Sequence, residues 1–257
     1  MRLNNIAESE SPKYNKPNYI DILYGAKDGK SRYEEIIQDS TSGEYSKVKK
    51  VMTSLGGIYI IYIGNGTKKR LLLTSGLHGN ECIGPKVSSM FLSLKKIPPE
   101  ASAMVIPVLN PNGFIGLHRR NGNNADSNRA FRDDDDTYKD IIKHIIEFDP
   151  TICVDLHEWH KSDGAFVYTN IAGLDKTIHE IIKDSGLHPT SKKKIKDDEV
   201  ENGVIVRGKN QAPDGSLADW LAHHNYKYFL PESVTEADPW SQITFYKKII
   251  DLALDLK

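Results

Sequence analysis

Cysteine is scarce in this chain of 257 residues: there are two, Cys82 and Cys153. That scarcity excludes a disulfide framework as the source of stability, and both thiols read as small buried apolar residues. Neither sign of charge is in excess. The 34 Lys and Arg residues face 35 Asp and Glu, a net charge of −1, which removes any general electrostatic reason for a nucleic-acid or anionic-membrane partner. Long apolar runs are also missing, since none approaches the roughly 20 residues of a membrane span. The opening residues Met1-Arg2-Leu3-Asn4-Asn5 carry no signal-like apolar segment. A cytoplasmic protein is the expectation. With 39% hydrophobic and 27% charged residues, the composition is that of a globular domain long enough to bury a sizeable core. No internal repeat or low-complexity segment interrupts it.

Along the chain, residues 1–17 are polar, contain Pro12 and Pro17, and read as an N-terminal arm; residues 18–257 form the domain. Short helices are expected over 19–25 and 33–37. Residues 47–55 and 58–63 read as the strands of a hairpin turning at Gly56-Gly57. A strand over 70–74 follows the Gly64-Asn65-Gly66 turn. The apolar spacing of Val87, Met90, Phe91 and Leu94 predicts a helix over 84–96, ended by Pro98-Pro99. A strand over 104–109 runs into a turn at Asn110-Pro111-Asn112-Gly113, and residues 119–136 form a long polar loop of the kind that carries function. Within that loop the acidic run 133–136 reads as solvated chain leading into a helix N-terminus. A helix over 138–148 and a strand over 151–156 come next. Residues 186–215 read as surface loops. A helix over 217–224 capped by Ser216, a strand over 226–230 and a C-terminal helix opened by Asp238-Pro239 complete the chain. Alternating strands and helices imply a single α/β domain: a twisted, mostly parallel sheet with helices on both faces.

Chemistry concentrates where strands end. The apolar run Leu71-Leu72-Leu73 leads into Gly76-Leu77-His78-Gly79-Asn80-Glu81, which places a histidine and a carboxylate three residues apart beyond the carboxyl end of a strand. Ligands of α/β folds bind at that edge. Asp155-Leu156-His157 ends another apolar strand, so two neighbouring strands can turn their imidazoles into one crevice. Two histidines and a glutamate with an open fourth position are the ligands of a catalytic zinc site, one ion per chain, whereas structural sites are closed and usually use cysteine. Asp155 is either a partner of the ligand shell or a structural hydrogen-bonding group. In the long loop, Arg119 and Arg129 offer planar guanidinium forks suited to a carboxylate or a developing oxyanion, with Asn128 beside the second. His160 is a surface residue or a neighbour of the ligands.

These segments together resemble the zinc carboxypeptidase superfamily, which includes the succinylglutamate desuccinylase and aspartoacylase branch. The resemblance rests on His78-Gly79-Asn80-Glu81, Asn110-Pro111-Asn112-Gly113, the block around Asp126-Ser127-Asn128-Arg129, and Asp155-Leu156-His157. It continues through Gly215-Ser216-Leu217-Ala218-Asp219-Trp220 to Tyr228-Phe229-Leu230-Pro231-Glu232, in the family's order. The resemblance implies that His78, Glu81 and His157 hold zinc and that Arg119 polarises the scissile carbonyl. It further implies that Asn128 and Arg129 grip a substrate carboxylate, and that Glu232 takes a proton from zinc-bound water. Arg120 is the alternative to Arg119, and Glu236 the alternative to Glu232. No tyrosine stands in residues 205–214, where digestive carboxypeptidases carry one that covers the substrate.

The implied function is hydrolysis of an amide bond beside a free carboxylate, in a peptide or an acyl amino acid. The Gly215 to Trp220 piece resembles small murein-peptide amidases, and 25 residues follow Glu232, fewer than the C-terminal β-rich domain of the deacylase branch requires. A metallocarboxypeptidase or peptide amidase is therefore the expectation. An N-acyl amino acid deacylase is the alternative, and an inactive zinc-site binding module is a second one.

Overall fold

The computed structural model describes residues 23–256 apart from 26, 44, 46, 95, 96, 161 and 209–213. The expected arm over 1–17 and most of the helix expected over 19–25 lie outside the described residues. Helix α1 (Gly29–Thr41) leads to the hairpin β1 (Lys47–Thr53) and β2 (Gly56–Gly64), then β3 (Lys69–Ser75), α2 (Ile83–Leu94) and β4 (Ala101–Ile106). Helix α3 (Pro111–Gly116), a 3-10 turn (Ser127–Arg129) and α4 (Lys139–Phe148) precede β5 (Ile152–Trp159), β6 (Phe166–Thr169) and α5 (Asp175–Asp184). Three short strands follow, β7 (Lys194–Ile195), β8 (Asp198–Glu199) and β9 (Val204–Val206), then α6 (Leu217–His223), β10 (Tyr228–Val234) and α7 (Pro239–Asp255).

Eight strands form one mixed sheet in the order β1-β2-β4-β3-β5-β10-β6-β9. Its centre, β4-β3-β5-β10, is parallel throughout. Such central strands are buried on both faces, and residue parity decides which face each side chain joins. Leu71 and Leu73 of β3 and Ile152, Val154 and Leu156 of β5 pack with Ile83 and Val87 of α2, Ile178 and Ile182 of α5, and Phe245 and Ile249 of α7. Leu72, Cys153, Tyr228 and Leu230 point the other way, towards Ile141 and Ile145 of α4 and Leu217 and Leu221 of α6. Helices therefore cover both faces, as the alternating pattern predicts. Cys82 and Cys153 are free thiols in the interior.

Several local expectations are corrected. The helix predicted over 33–37 is part of the 13-residue α1, because Asp28 accepts from Ser31 N and caps it earlier. The hairpin turns at Ser54-Leu55, since Thr53 pairs with Gly56, which puts both glycines inside β2. Asn110-Pro111-Asn112-Gly113 opens a helix: the Asn110 side chain accepts from Gly113 N and proline fits the first helical turn. β4 ends at Ile106, so residues 107–109 are outside it. Strands β5 and β10 run on to Trp159 and Val234, which places His157 and Glu232 inside strands. Residues 186–215 contain β7, β8 and β9, the last paired with β6; β6 and α5 carry no expectation from the sequence.

The segment after β3 depends on two glycines. Gly76 has a φ of +62°, and a Cβ on Gly79 would stand 1.9 Å from the carbonyl carbon of Gly113. The chain can bring His78 and Glu81 together only by pressing its backbone against α3. Gly79→Ala is expected to lower stability by about 1–3 kcal/mol in chemical denaturation, since the strand end and α3 must separate. Gly173→Ala, at a φ of +80° with open space around it, should cost about 1–2 kcal/mol for the left-handed backbone alone and leave the His78 segment unchanged.

Candidate metal and substrate site

Chain order fixes where the site can be. From β3 the chain passes through α2 to β4 on one side; β5 and then β10 lie on the other. The crevice beyond the carboxyl ends of β3 and β5 is therefore the topological switch point, the usual ligand position in open α/β sheets. His78 follows β3, with Glu81 N donating to His78 O at 3.1 Å. His157 lies on β5, and Glu232 is its register partner on β10, so both side chains rise from one face of the sheet.

The three predicted ligands meet. One ligand atom each of His78, Glu81 and His157 lies within 4.8 Å of the others, and all three residues are buried. His78 Nδ1 stands 2.6 Å from Glu81 Oε1, and His157 Nδ1 2.9 Å from Oε2. A carboxylate rests behind each ring. Asp155 Oδ2 is 2.8 Å from His157 Nε2, and Thr74 Oγ1 donates to Asp155 Oδ1 at 2.7 Å. Asp126 Oδ1 is 3.4 Å from His78 Nε2, an ionic contact without hydrogen-bond geometry. Asp155 at His157 Nε2 would keep the proton there and leave the Nδ1 lone pair facing inward, the tautomer that a ligating histidine needs. The residues fit a bound divalent metal.

Electrostatics agree with that donor set. Burial would raise the Glu81 pKa, but the two histidines reverse this and hold the carboxyl well below its usual range. His157 is shifted well above an ordinary histidine: burial opposes the shift, while Asp155 and then Glu81 drive it. His78 moves up in the same way through Glu81 and Asp126. Three carboxylates, Glu81, Asp155 and Asp126, concentrate negative charge around the two imidazoles, which favours a cation at this point.

The ligands open on a cavity of about 410 Å³ lined by Arg119, Asn128, Arg129 and Glu232 among others. Arg119 Nη1 lies 3.4 Å from Glu81 Oε1. Arg120 points away, donating to Asn124 O at 3.0 Å. Glu232 faces the cavity, whereas Glu236 is exposed outside it. Desolvation pushes the Glu232 pKa up to about 7, against the pull of His157 and with the negative charge of Glu81 adding to the rise. Asn128 uses its Oδ1 to accept from Leu217 N at 3.0 Å, which leaves its amide N–H groups as donors. The Arg129 guanidinium lies 3.6 Å from Asp214. The polar loop is thus fixed in place, because Phe131 stacks on Tyr138 at 4.4 Å and its N–H bonds Gly215 O at 3.0 Å.

Some site residues carry no sequence expectation. Asp126 backs His78 while also capping the 3-10 turn, and its signal, an Asp before Ser-Asn-Arg, reads equally as a turn. Tyr168 and Arg207 reach the cavity wall, with the guanidinium 5.1 Å from the Tyr168 ring centre and 2.9 Å from Asp198. They come from β6 and from the end of β9, in stretches with no periodic pattern. His160 sits on the cavity rim, its Nε2 2.7 Å from Asn80 Nδ2.

Comparisons with known proteins agree with this geometry. A family model for the succinylglutamate desuccinylase/aspartoacylase catalytic domain matches residues 67–170. The fold is that of a candidate metallopeptidase from Shewanella baltica, with a TM-score of 0.70 at 16% identity over 88% of this chain and 91% of that one. A metallo-carboxypeptidase from Pseudomonas aeruginosa, in complex with (2-guanidinoethylmercapto)succinic acid, superposes with a TM-score of 0.63 at 12% identity, over 87% and 69% of the two chains. The family-model match and the shared fold support the zinc carboxypeptidase-like superfamily. No curated protein matches it by sequence. The family match and these neighbours are consistent with a hydrolase of the metallopeptidase or deacylase type. No helix among the described residues is long and apolar enough to cross a membrane.

Two measurements probe the site without a substrate. Asp155→Asn is expected to weaken divalent-metal affinity by about 10–100-fold in chelator competition, with unchanged far-ultraviolet circular dichroism. In the metal-free protein, Glu232 binds its proton more tightly folded than unfolded, so its contribution to stability falls as pH rises from about 4.5 to 7. Glu232→Gln should flatten that part of the stability–pH curve.

Proposed function

We propose that this protein is a zinc-dependent hydrolase that cleaves an amide bond next to a free carboxylate, acting as a metallocarboxypeptidase or peptide amidase. The register pairing of Glu232 with His157 supports the reading most directly. It sets a carboxylate with a pKa of about 7 beside a two-His-one-Glu donor set, as a group that must both take and return a proton near neutral pH requires. Zinc bound there would act as a Lewis acid and lower the pKa of water. Arg119, at the cavity wall beside Glu81, is placed to stabilise negative charge developing on the carbonyl oxygen. The Asn128 amide and the Arg129 guanidinium are donors for a substrate carboxylate. That clamp fixes which amide bond reaches Glu232, because it orients the substrate before any proton moves.

The deacylase reading has one observation in its favour, the family model over residues 67–170. That match contains His78, Glu81, Arg119, Asn128, Arg129 and His157 but ends before β10 and Glu232. The similarity to structures named as metallopeptidases extends over 85–91% of this chain, which favours a peptide.

The test is metal content with turnover of two panels, peptides with free C-termini (γ-D-glutamyl-diaminopimelate types included) and N-acyl amino acids. About one zinc per chain is expected, with peptide turnover. Glu232→Gln should lower kcat by about 10²–10⁴-fold with zinc retained, and Arg119→Ala by about 10²–10³-fold. Turnover of acyl amino acids alone would assign the deacylase reading. Full zinc occupancy with neither panel turned over would leave the binding-module reading.

A further inference from the structure

Behind the cavity, on the apolar face of the sheet, lies a buried polar cluster that the chemistry above does not use. Tyr246 and Gln242 of α7 and Ser233 of β10 are all fully buried. The Tyr246 hydroxyl donates to the backbone carbonyl of His157 and lies 2.7 Å from Ser233 Oγ. Ser233 Oγ in turn donates to Gln242 Oε1 at 2.6 Å, and Gln242 Nε2 donates to Ala237 O at 3.1 Å. Tyr246 gives its single proton to His157 O, so the Ser233 proton is left to serve both Gln242 Oε1 and the Tyr246 oxygen, which couples the three side chains. An apolar helix face would pack against this sheet without such groups, and burying them is costly unless each is satisfied.

The location of the cluster gives it a role. Strand β3 ends at Ser75, level with Leu156, so from His157 onward β5 has a strand neighbour on the β10 side alone. Ser233 follows Glu232 and, by strand alternation, points to the opposite face. We propose that Tyr246 is a positioning residue: through the His157 carbonyl and Ser233 it holds the metal-ligand strand and the Glu232 strand at a fixed offset from behind the sheet. The proposal rests on the reading of His157 as a metal ligand and Glu232 as the proton-transfer group. Burial keeps the Tyr246 hydroxyl protonated and hence a donor. Leu254, two turns further along α7, is buried in the same apolar cluster, which supplies a control.

The experiment compares Tyr246→Phe, Ser233→Ala, their double variant, His157→Ala and Leu254→Ala in zinc affinity by chelator competition and in thermal unfolding. Tyr246→Phe is expected to weaken zinc by about tenfold, to lower kcat with KM unchanged on any peptide the wild type cleaves, and to do so no less than the double variant, because the network is shared. Leu254→Ala, with a similar fall in Tm, should keep zinc affinity within about twofold of wild type, as a distant core change would. Tyr246→Phe that loses Tm yet keeps wild-type zinc affinity and kcat would overturn the proposal and leave a packing brace. His157→Ala binding zinc as tightly as wild type would instead overturn the metal reading itself, and the positioning role with it.

Discussion

The parallel pairing of β5 with β3 on one side and β10 on the other is the constraint on which this structure depends. Pairing sets Ser75 level with Leu156 and Glu232 level with His157, and a one-residue slip would turn every side chain of the strand to the other face. Register is held because both faces are buried: Val154 and Leu156 face one set of helices, while Cys153 faces the other. The apolar core therefore fixes how far apart the His157 and Glu232 side chains stand. The price is that Asp155, His157 and Glu81 sit in a buried environment where each charge must find a partner.

The polar groups answer that requirement in layers. Thr74 holds Asp155, Asp155 holds His157, and His157 shares Glu81 with His78. Around this chain the loop over residues 119–136 adds Arg119, Asn128 and Arg129, and its hold on α6 through Leu217 and Gly215 explains why a polar stretch without regular structure can still present fixed donors. Glu158, next to His157, accepts from Ile83 N at 2.7 Å and ties the start of α2 to the same strand. Strands thus carry His157 and Glu232 and a turn pressed against α3 carries His78 and Glu81, while a docked loop carries the groups that would meet substrate, a division that would let substrate preference change without disturbing the candidate metal site.

The two faces of the sheet differ in what they ask of sequence. On the cavity face, side chains are chosen for charge and donor geometry. On the opposite face, α7 lies against the backs of β5 and β10 with an otherwise apolar surface, and the Tyr246–Ser233–Gln242 cluster is the polar exception. Both halves of the candidate site are thereby tied to one helix whose own start is fixed by the Asp238 cap, which accepts from Ser241 N at 2.9 Å.

Sequence alone determined the alternation of strands and helices, the two-faced parallel sheet and the residues His78, Glu81 and His157, because apolar periodicity and strand-end histidines are local signals. Ser216 and Asp238 were legible as helix caps for the same reason. Asn110 was misread because an Asn-Pro-Asn-Gly run satisfies a turn and a helix start equally until packing against β3 selects one. Which of Arg119 and Arg120, and which of Glu232 and Glu236, reaches the cavity belonged to the tertiary structure: neighbours in sequence differ only in the direction a loop or strand gives them. Asp126, Tyr168, Arg207 and the Tyr246 cluster were likewise invisible, since each gains its meaning from a partner between 9 and 89 positions away that only folding brings within reach.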